Sequence, residues 1–125
     1  VLNPSRYQII LTSNLYGDIL SDLCAGLIGG LGLVPSANIG KDIALFEAVH
    51  GSALDIAGAN KANPTALALS AAMMLDYIGE KLAAKKLKNA LNEVLCYEDN
   101  FTYDLGGNLS TSDFTQKVIE TIQTL

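Results

Sequence analysis

Basic side chains, cysteines and long apolar runs are all scarce in this chain, and each scarcity excludes something. Eight Lys and Arg side chains face thirteen carboxylates over 125 residues, leaving a net charge of −5 and a pI near 4.6. Phosphate neutralisation needs a basic face, so the balance argues against a nucleic-acid partner. No block of like charge forms a tail. Cys24 and Cys96 are too few and too far apart for a disulfide framework or a zinc knuckle, and buried free thiols are expected. The most apolar stretch, Thr65 to Leu75, falls far short of the ~20 residues a membrane-crossing helix needs, and no signal or transit segment opens the chain, so no membrane role is expected. Charge itself is sparse at 17%, and 50% of the residues are apolar, which excludes a disordered tail. The length suits one domain of ~100–200 residues. A domain this short buries only about two thirds of its unfolded surface, so the apolar excess, together with a start at Val1, predicts a piece of something larger.

Tyr7 to Thr12 is a short aliphatic and β-branched run after an Asn-Pro-Ser turn signal and predicts a buried strand. A helix is expected from about Asp18 to Ile28, ended by the glycines at 26, 29, 30 and 32. Ile43 to Val49 is apolar on both faces, as a central strand of an α/β sheet would be. A loop of small residues, His50 to Asn63, follows. Asn63 as N-cap, Pro64 at the first helical position and Gly79 at the C-terminal end bracket a helix that is apolar all round and therefore expected to be buried. Glu80 to Tyr97 is amphipathic, with Ala83, Leu87, Ala90, Leu91 and Val94 on one stripe. A last helix spans about Ser112 to Ile122, with Phe114, Val118, Ile122 and Leu125 inward and Ser110 and Asp113 placed as a capping box.

Few residues stand out for chemistry. Asp18 and Asp22 share one face of a helix, where like charges repel by a few tenths of a kcal/mol unless a cation intervenes. With oxygen donors alone the cation would be hard, Mg²⁺ or Mn²⁺, although acidic pairs on solvated faces are common. His50, the single histidine, ends a strand just before Gly51-Ser52, where ligand loops of α/β sheets sit; an ordinary hydrogen-bonded histidine is the plainer reading. Gly30-Leu31-Gly32 continues to Pro35 where a dinucleotide fingerprint needs a third glycine, and neither a Walker motif nor a nucleophile elbow is present.

Five segments, in order and spanning nearly the whole chain, resemble the C-terminal part of the β-decarboxylating dehydrogenases, the isocitrate and 3-isopropylmalate dehydrogenase family. They are NLYGDILSD (Asn14 to Asp22), GGLGLVPSANIG (Gly29 to Gly40), LFEAVHGSALDIAG (Leu45 to Gly58), KANPTALALSAAMML (Lys61 to Leu75) and DLGG (Asp104 to Gly107). The resemblance implies an α/β fragment of that family's two-domain fold, not a Rossmann fold. Residues 1–30 would end the smaller domain and carry the metal-binding helix; residues 31–125 would form the C-terminal part of the large domain with the dinucleotide loop. It implies Asp18 and Asp22 as ligands of Mg²⁺ or Mn²⁺, completed by an aspartate from a neighbouring subunit. There the cation would polarise the substrate hydroxyl and stabilise charge as CO₂ leaves. His50, Gly51, Ser52, Ala53 and Leu54 match the loop around the adenosine half of NAD, and Leu54 departs from the proline usual there, removing a φ restraint. Asp55 and Ile56 match the positions that choose NAD over a 2′-phosphorylated dinucleotide, which a carboxylate would repel. Asn63 matches the adenine contact while also capping its helix, Asp104 another position on the adenosine side, and Glu47 the nicotinamide end, with a buried carboxylate held by a structural partner as the alternative.

Within the family, Leu23 to Gly26 and Ala37 to Gly40 look like the NAD-isocitrate group, and the presence of both Asp18 and Asp22 resembles its catalytic, α-type mitochondrial subunits. That implies oxidative decarboxylation of isocitrate in the mitochondrial matrix, within a homo- or hetero-oligomer of sister subunits. The alternatives are 3-isopropylmalate dehydrogenase and a non-catalytic regulatory subunit. Arg6 is the only arginine for a tricarboxylate that needs several, and the family's proton-transferring Lys and Tyr match nothing here, so the isolated chain is expected to be inactive.

Overall fold

The computed structural model describes residues 2–125. Four helices and a two-stranded sheet follow in the order α1 (Asn14–Leu27), β1 (Pro35–Ile39), β2 (Ala44–Ala48), α2 (Thr65–Tyr77), α3 (Lys81–Leu95) and α4 (Thr111–Thr124), joined by short 3₁₀ turns. The strands form an antiparallel hairpin in the register Pro35↔Ala48 to Ile39↔Ala44, closed by a turn in which Gly40 N–H donates to the Ile43 carbonyl at 2.8 Å. α2 lies against the hairpin. Ser70 ties the two by donating its hydroxyl to the Glu47 carbonyl at 2.7 Å, and the Phe46 and Tyr77 rings meet with centroids 5.5 Å apart.

The core lies where α2, α3 and α4 pack. Ala90, Leu91 and Val94 of α3 and Phe114 and Val118 of α4 are buried together, with Ala68, Leu69, Leu87 and Ile122 closing around them. The helix ends follow local chemistry. Pro64 holds the N-cap position of α2 and not the first helical position expected for it; Asn63, the expected cap, lies one residue before it and accepts the Thr65 N–H on Oδ1 at 3.0 Å. At its tail Gly79, at φ +94°, allows Glu80 N–H to reach the Leu75 carbonyl and Gly79 N–H the Asp76 carbonyl, a Schellman closure. Ser110 caps α4, accepting the Asp113 N–H at 3.1 Å while donating to the Asp113 carboxylate at 2.6 Å, as its spacing predicts.

Several expectations are corrected. Tyr7 to Thr12 forms no strand; Ile9 and Leu11 are 88% and 95% exposed. A strand needs a neighbour for its backbone groups, and among the described residues the pairing is confined to β1 with β2 and a single Thr102–Leu109 bridge. α1 begins four residues before Asp18, at Asn14, and Ala25 is its only buried residue. Cys24 and Cys96 are exposed, not buried. α2 is not buried all round: Thr65, Ala66, Ser70 and Ala72 are inside, whereas Leu67, Met74 and Tyr77 are exposed. In α3, Ala84 is buried and Ala83 exposed. The strand near residue 46 is half of a hairpin, and its partner β1, in a stretch of Pro, Ser, Ala and Asn, has no strand signature of its own. The exposure differences on α1, α2 and the segment before α1 share one physical origin: much of their apolar surface is left uncovered by the described residues.

Candidate functional site

The loop that follows β2 wraps one side of a cavity of about 940 Å³, within the ~300–1,000 Å³ range of small-molecule and cofactor sites. His50, Gly51, Ser52 and Ala53 line it. Ala53 adopts the left-handed conformation at φ +44°, which turns the chain into the 3₁₀ turn Leu54–Ile56. Ile56 lines the cavity; Leu54 and Asp55 are exposed outside its lining. His50 Nδ1 lies 3.0 Å from the Gly51 carbonyl oxygen.

The opposite wall is built from the run before α2 and the turn before α4. Asn63, 8% exposed, donates Nδ2–H to Asp104 Oδ2 at 3.0 Å, and Thr102 Oγ1 donates to Asp104 Oδ1 at 2.5 Å. Asn63 and Asp104, 41 residues apart, are thereby brought together on the lining. The turn that carries Asp104 is pinned by Gly107 N–H to the Thr102 carbonyl and Leu109 N–H to the Phe101 carbonyl, both at 3.0 Å. A Cβ on Gly107 would overlap the Phe101 carbonyl, so only glycine fits there.

Seven of the ten residues assigned to the dinucleotide from sequence thus converge on one cavity: His50, Gly51, Ser52, Ala53, Ile56, Asn63 and Asp104. Glu47 stands apart. It is exposed on β2 and accepts from Asn38 Nδ2 at 3.0 Å, so it has the structural partner of the alternative reading without the burial. Sequence reasoning missed further residues of the lining, three of which hold the site's shape. Lys61 and Tyr103 line the cavity, with Lys61 Nζ 5.2 Å from the Tyr103 ring centroid, a cation–π contact. Asn60, at φ +56°, accepts Thr111 N–H on its carbonyl and Ser112 N–H on Oδ1, which docks the loop on the head of α4. An Asn within a Gly-Ala-Asn run, tolerant of left-handed backbone, was the available signal.

Asp18 and Asp22 sit one turn apart on α1, both exposed and outside the cavity lining. Among the described residues no set of three His, Cys, Asp or Glu side chains gathers around a possible ion. Two oxygen-donor carboxylates suit a hard divalent cation and leave most of its coordination to other groups.

Residues 1–118 match the family model described as isocitrate/isopropylmalate dehydrogenase. The chain is 58% identical to an isocitrate/homoisocitrate dehydrogenase of Thermus thermophilus over all its 125 residues, which are 37% of that protein. It is 54% identical to a mitochondrial regulatory subunit of NAD isocitrate dehydrogenase from Dictyostelium discoideum, over 98% of this chain and 35% of that one. The crystal structure of isocitrate dehydrogenase from Methylococcus capsulatus superposes with a TM-score of 0.92 at 49% identity, covering 98% of this chain and 37% of the other. The chain therefore spans a little over a third of the length of these relatives. With a family match over nearly its whole length and a shared fold, the chain belongs to the isocitrate/isopropylmalate dehydrogenase family.

Proposed function

We propose that the protein carrying this chain is an NAD-dependent isocitrate dehydrogenase and that these residues supply the adenosine side of its NAD site and two ligands of its Mg²⁺ or Mn²⁺. The observation that carries the reading is the convergence of the His50–Ala53 loop, Ile56 and the Asn63–Asp104 pair on one cavity. When bound, NAD would accept the hydride and the cation would neutralise negative charge on the substrate during decarboxylation.

This chain's own residues bind and orient. The small side chains of Gly51, Ser52 and Ala53 allow a ligand to approach the backbone. Asn63 offers an amide hydrogen, and the Asp55 carboxylate at the edge of the loop disfavours a 2′-phosphate through like charge. Asp18 and Asp22 hold the cation from one side, with a carboxylate of a sister subunit completing the set. The domain reading places residues 1–30 in the smaller domain and 31–125 at the C-terminal part of the larger one. Isocitrate is the substrate and the mitochondrial matrix the compartment on this reading, which the mitochondrial Dictyostelium relative supports. That relative's regulatory designation also favours a second reading, a non-catalytic subunit; retention of both Asp18 and Asp22 supports the catalytic one.

The test is turnover by the intact protein with NAD and Mn²⁺, comparing isocitrate with 3-isopropylmalate. Isocitrate-dependent NADH formation that Asp18→Asn reduces at least 100-fold, about 2.7 kcal/mol, is expected. Turnover with 3-isopropylmalate alone would reassign the substrate, absence of turnover with either would favour the regulatory reading, and full activity in Asp18→Asn would refute the metal assignment.

A further inference from the structure

In the cavity wall three side chains, buried Thr102 and Asn63 and exposed Asp104, form a hydrogen-bonded series whose polarity is forced. Thr102, fully buried, donates its hydroxyl to Asp104 Oδ1. Asp104 Oδ2 accepts from Asn63 Nδ2, and Asn63 Oδ1 accepts the Thr65 N–H. An ionised carboxylate only accepts and a backbone N–H only donates. The Asn63 amide therefore has a single satisfactory orientation, with its oxygen toward Thr65 and its nitrogen toward Asp104. A primary amide carries two hydrogens, and Asp104 takes one. The second belongs to a side chain that lines the cavity while being almost wholly buried, so a ligand would meet it as an oriented donor with no orientation left to choose.

We infer that Thr102 and Asp104 are positioning residues for recognition of the purine base of a dinucleotide, holding Asn63 so that its remaining amide hydrogen faces an acceptor atom of the base. This rests on the NAD reading above. It gives Asp104, an exposed residue of the lining, a role through Asn63 beside the ligand contact that the resemblance implied: each of its oxygens already has a partner within the protein, and Gly32 packs against Oδ2 so closely that an added Cβ would lie 2.7 Å away. It also gives a role to Thr102, which no motif singled out. A neutral amide at position 104 could donate as readily as accept, so Asp104→Asn would remove the constraint on Asn63 with little change of shape. Thr102→Val would remove the first donor at nearly constant volume.

The experiment uses the intact enzyme and reads NADH binding by fluorescence together with steady-state kinetics. Thr102→Val and Asp104→Asn are each expected to raise the NADH Kd and the KM for NAD about tenfold, equivalent to about 1.4 kcal/mol, with kcat within about twofold. Because the residues act in series, the double variant should be little worse than either single one, and Thr102→Ser, which keeps the hydroxyl, should bind like wild type. Unchanged affinity in Thr102→Val overturns the inference and leaves the NAD reading standing, whereas a wild-type enzyme that binds no NADH overturns both. Weak binding in Thr102→Ser would mean that shape rather than the hydroxyl matters, which also overturns it. If Thr102→Val does not fold, Asp104→Asn and Thr102→Ser decide: wild-type affinity in the first or lost affinity in the second refutes the positioning role.

Discussion

The contact between Gly32 and the Asn63–Asp104 pair offers a quantitative test of how tightly the cavity wall is built. A methyl group at residue 32 would place its Cβ 2.7 Å from Asp104 Oδ2 and 3.1 Å from Asn63 Cβ, inside the 3.0 Å limit that real Cβ contacts respect in the first case. Gly32 does not have a positive φ, so Gly32→Ala probes the contact and not backbone strain. A free carboxylate would swing aside at little cost. Asp104 is held on both oxygens, and moving Oδ2 away from residue 32 strains or breaks its bond to Asn63. Losing a hydrogen bond to a charged group costs ~1.5–3 kcal/mol, and accommodating an extra methylene in a packed site ~1–3 kcal/mol. These are alternative routes of relaxation, so the expected destabilisation is about 2 kcal/mol and not their sum. Urea unfolding of the intact protein followed by circular dichroism measures it. The decisive step is a double-mutant cycle: in an Asp104→Ala background the clash partner is gone, and Gly32→Ala should cost at least ~1 kcal/mol less than in wild type. Additive effects, or a single-variant cost below ~0.5 kcal/mol, would refute the account of Asp104 as a doubly anchored group.

Two further outcomes follow from the core and the loop. Phe114→Ala removes the largest fully buried side chain, packed among Ala90, Leu91, Val94 and Val118; it should destabilise by ~3–5 kcal/mol, and a loss under ~1 kcal/mol by denaturant unfolding would show that this cluster is not the core of α3 and α4. Asp55→Lys replaces like charge with opposite charge toward a 2′-phosphate and should raise the NADP-to-NAD ratio of kcat/KM at least tenfold, about 1.4 kcal/mol. An unchanged ratio would remove Asp55 from cofactor choice.

Local signals were legible in the residues because they depend on near neighbours only. Ser110 with Asp113 at the head of α4, Asn63 before α2 and Gly79 after it each act within four residues, and the structure shows the corresponding bonds. The His50–Ala53 loop was also legible, through the resemblance of its motif. The structure adds that this loop shares a cavity with Asn63 and Asp104. Burial was least legible. The apolarity of Tyr7 to Thr12 and of α1 describes surfaces suited to packing, but a surface is buried only by something that covers it, and Ala25 alone of α1 is buried. The same reason explains why Cys24 and Cys96 are exposed where a small apolar side chain would ordinarily be inside.

By itself, the sequence determined where the helices lie and several of their ends, the family and the candidate residues, because helical periodicity, caps and motifs are properties of short stretches; the start of α1, four residues before the expected Asp18, was not among them. Its apolar excess for so short a chain raised the expectation of further protein over these surfaces, and the chain spans a little over a third of the length of the relatives it matches. Tertiary structure alone decided which candidates meet. Asn63 and Asp104 are 41 residues apart and bonded, Asn60 reaches Ser112 across 52 residues, and Glu47, three residues from His50, lies outside the cavity. Such pairings depend on how α2 and α4 each pack against α3 around Phe114 and its neighbours, and packing of distant segments leaves no pattern in either segment alone.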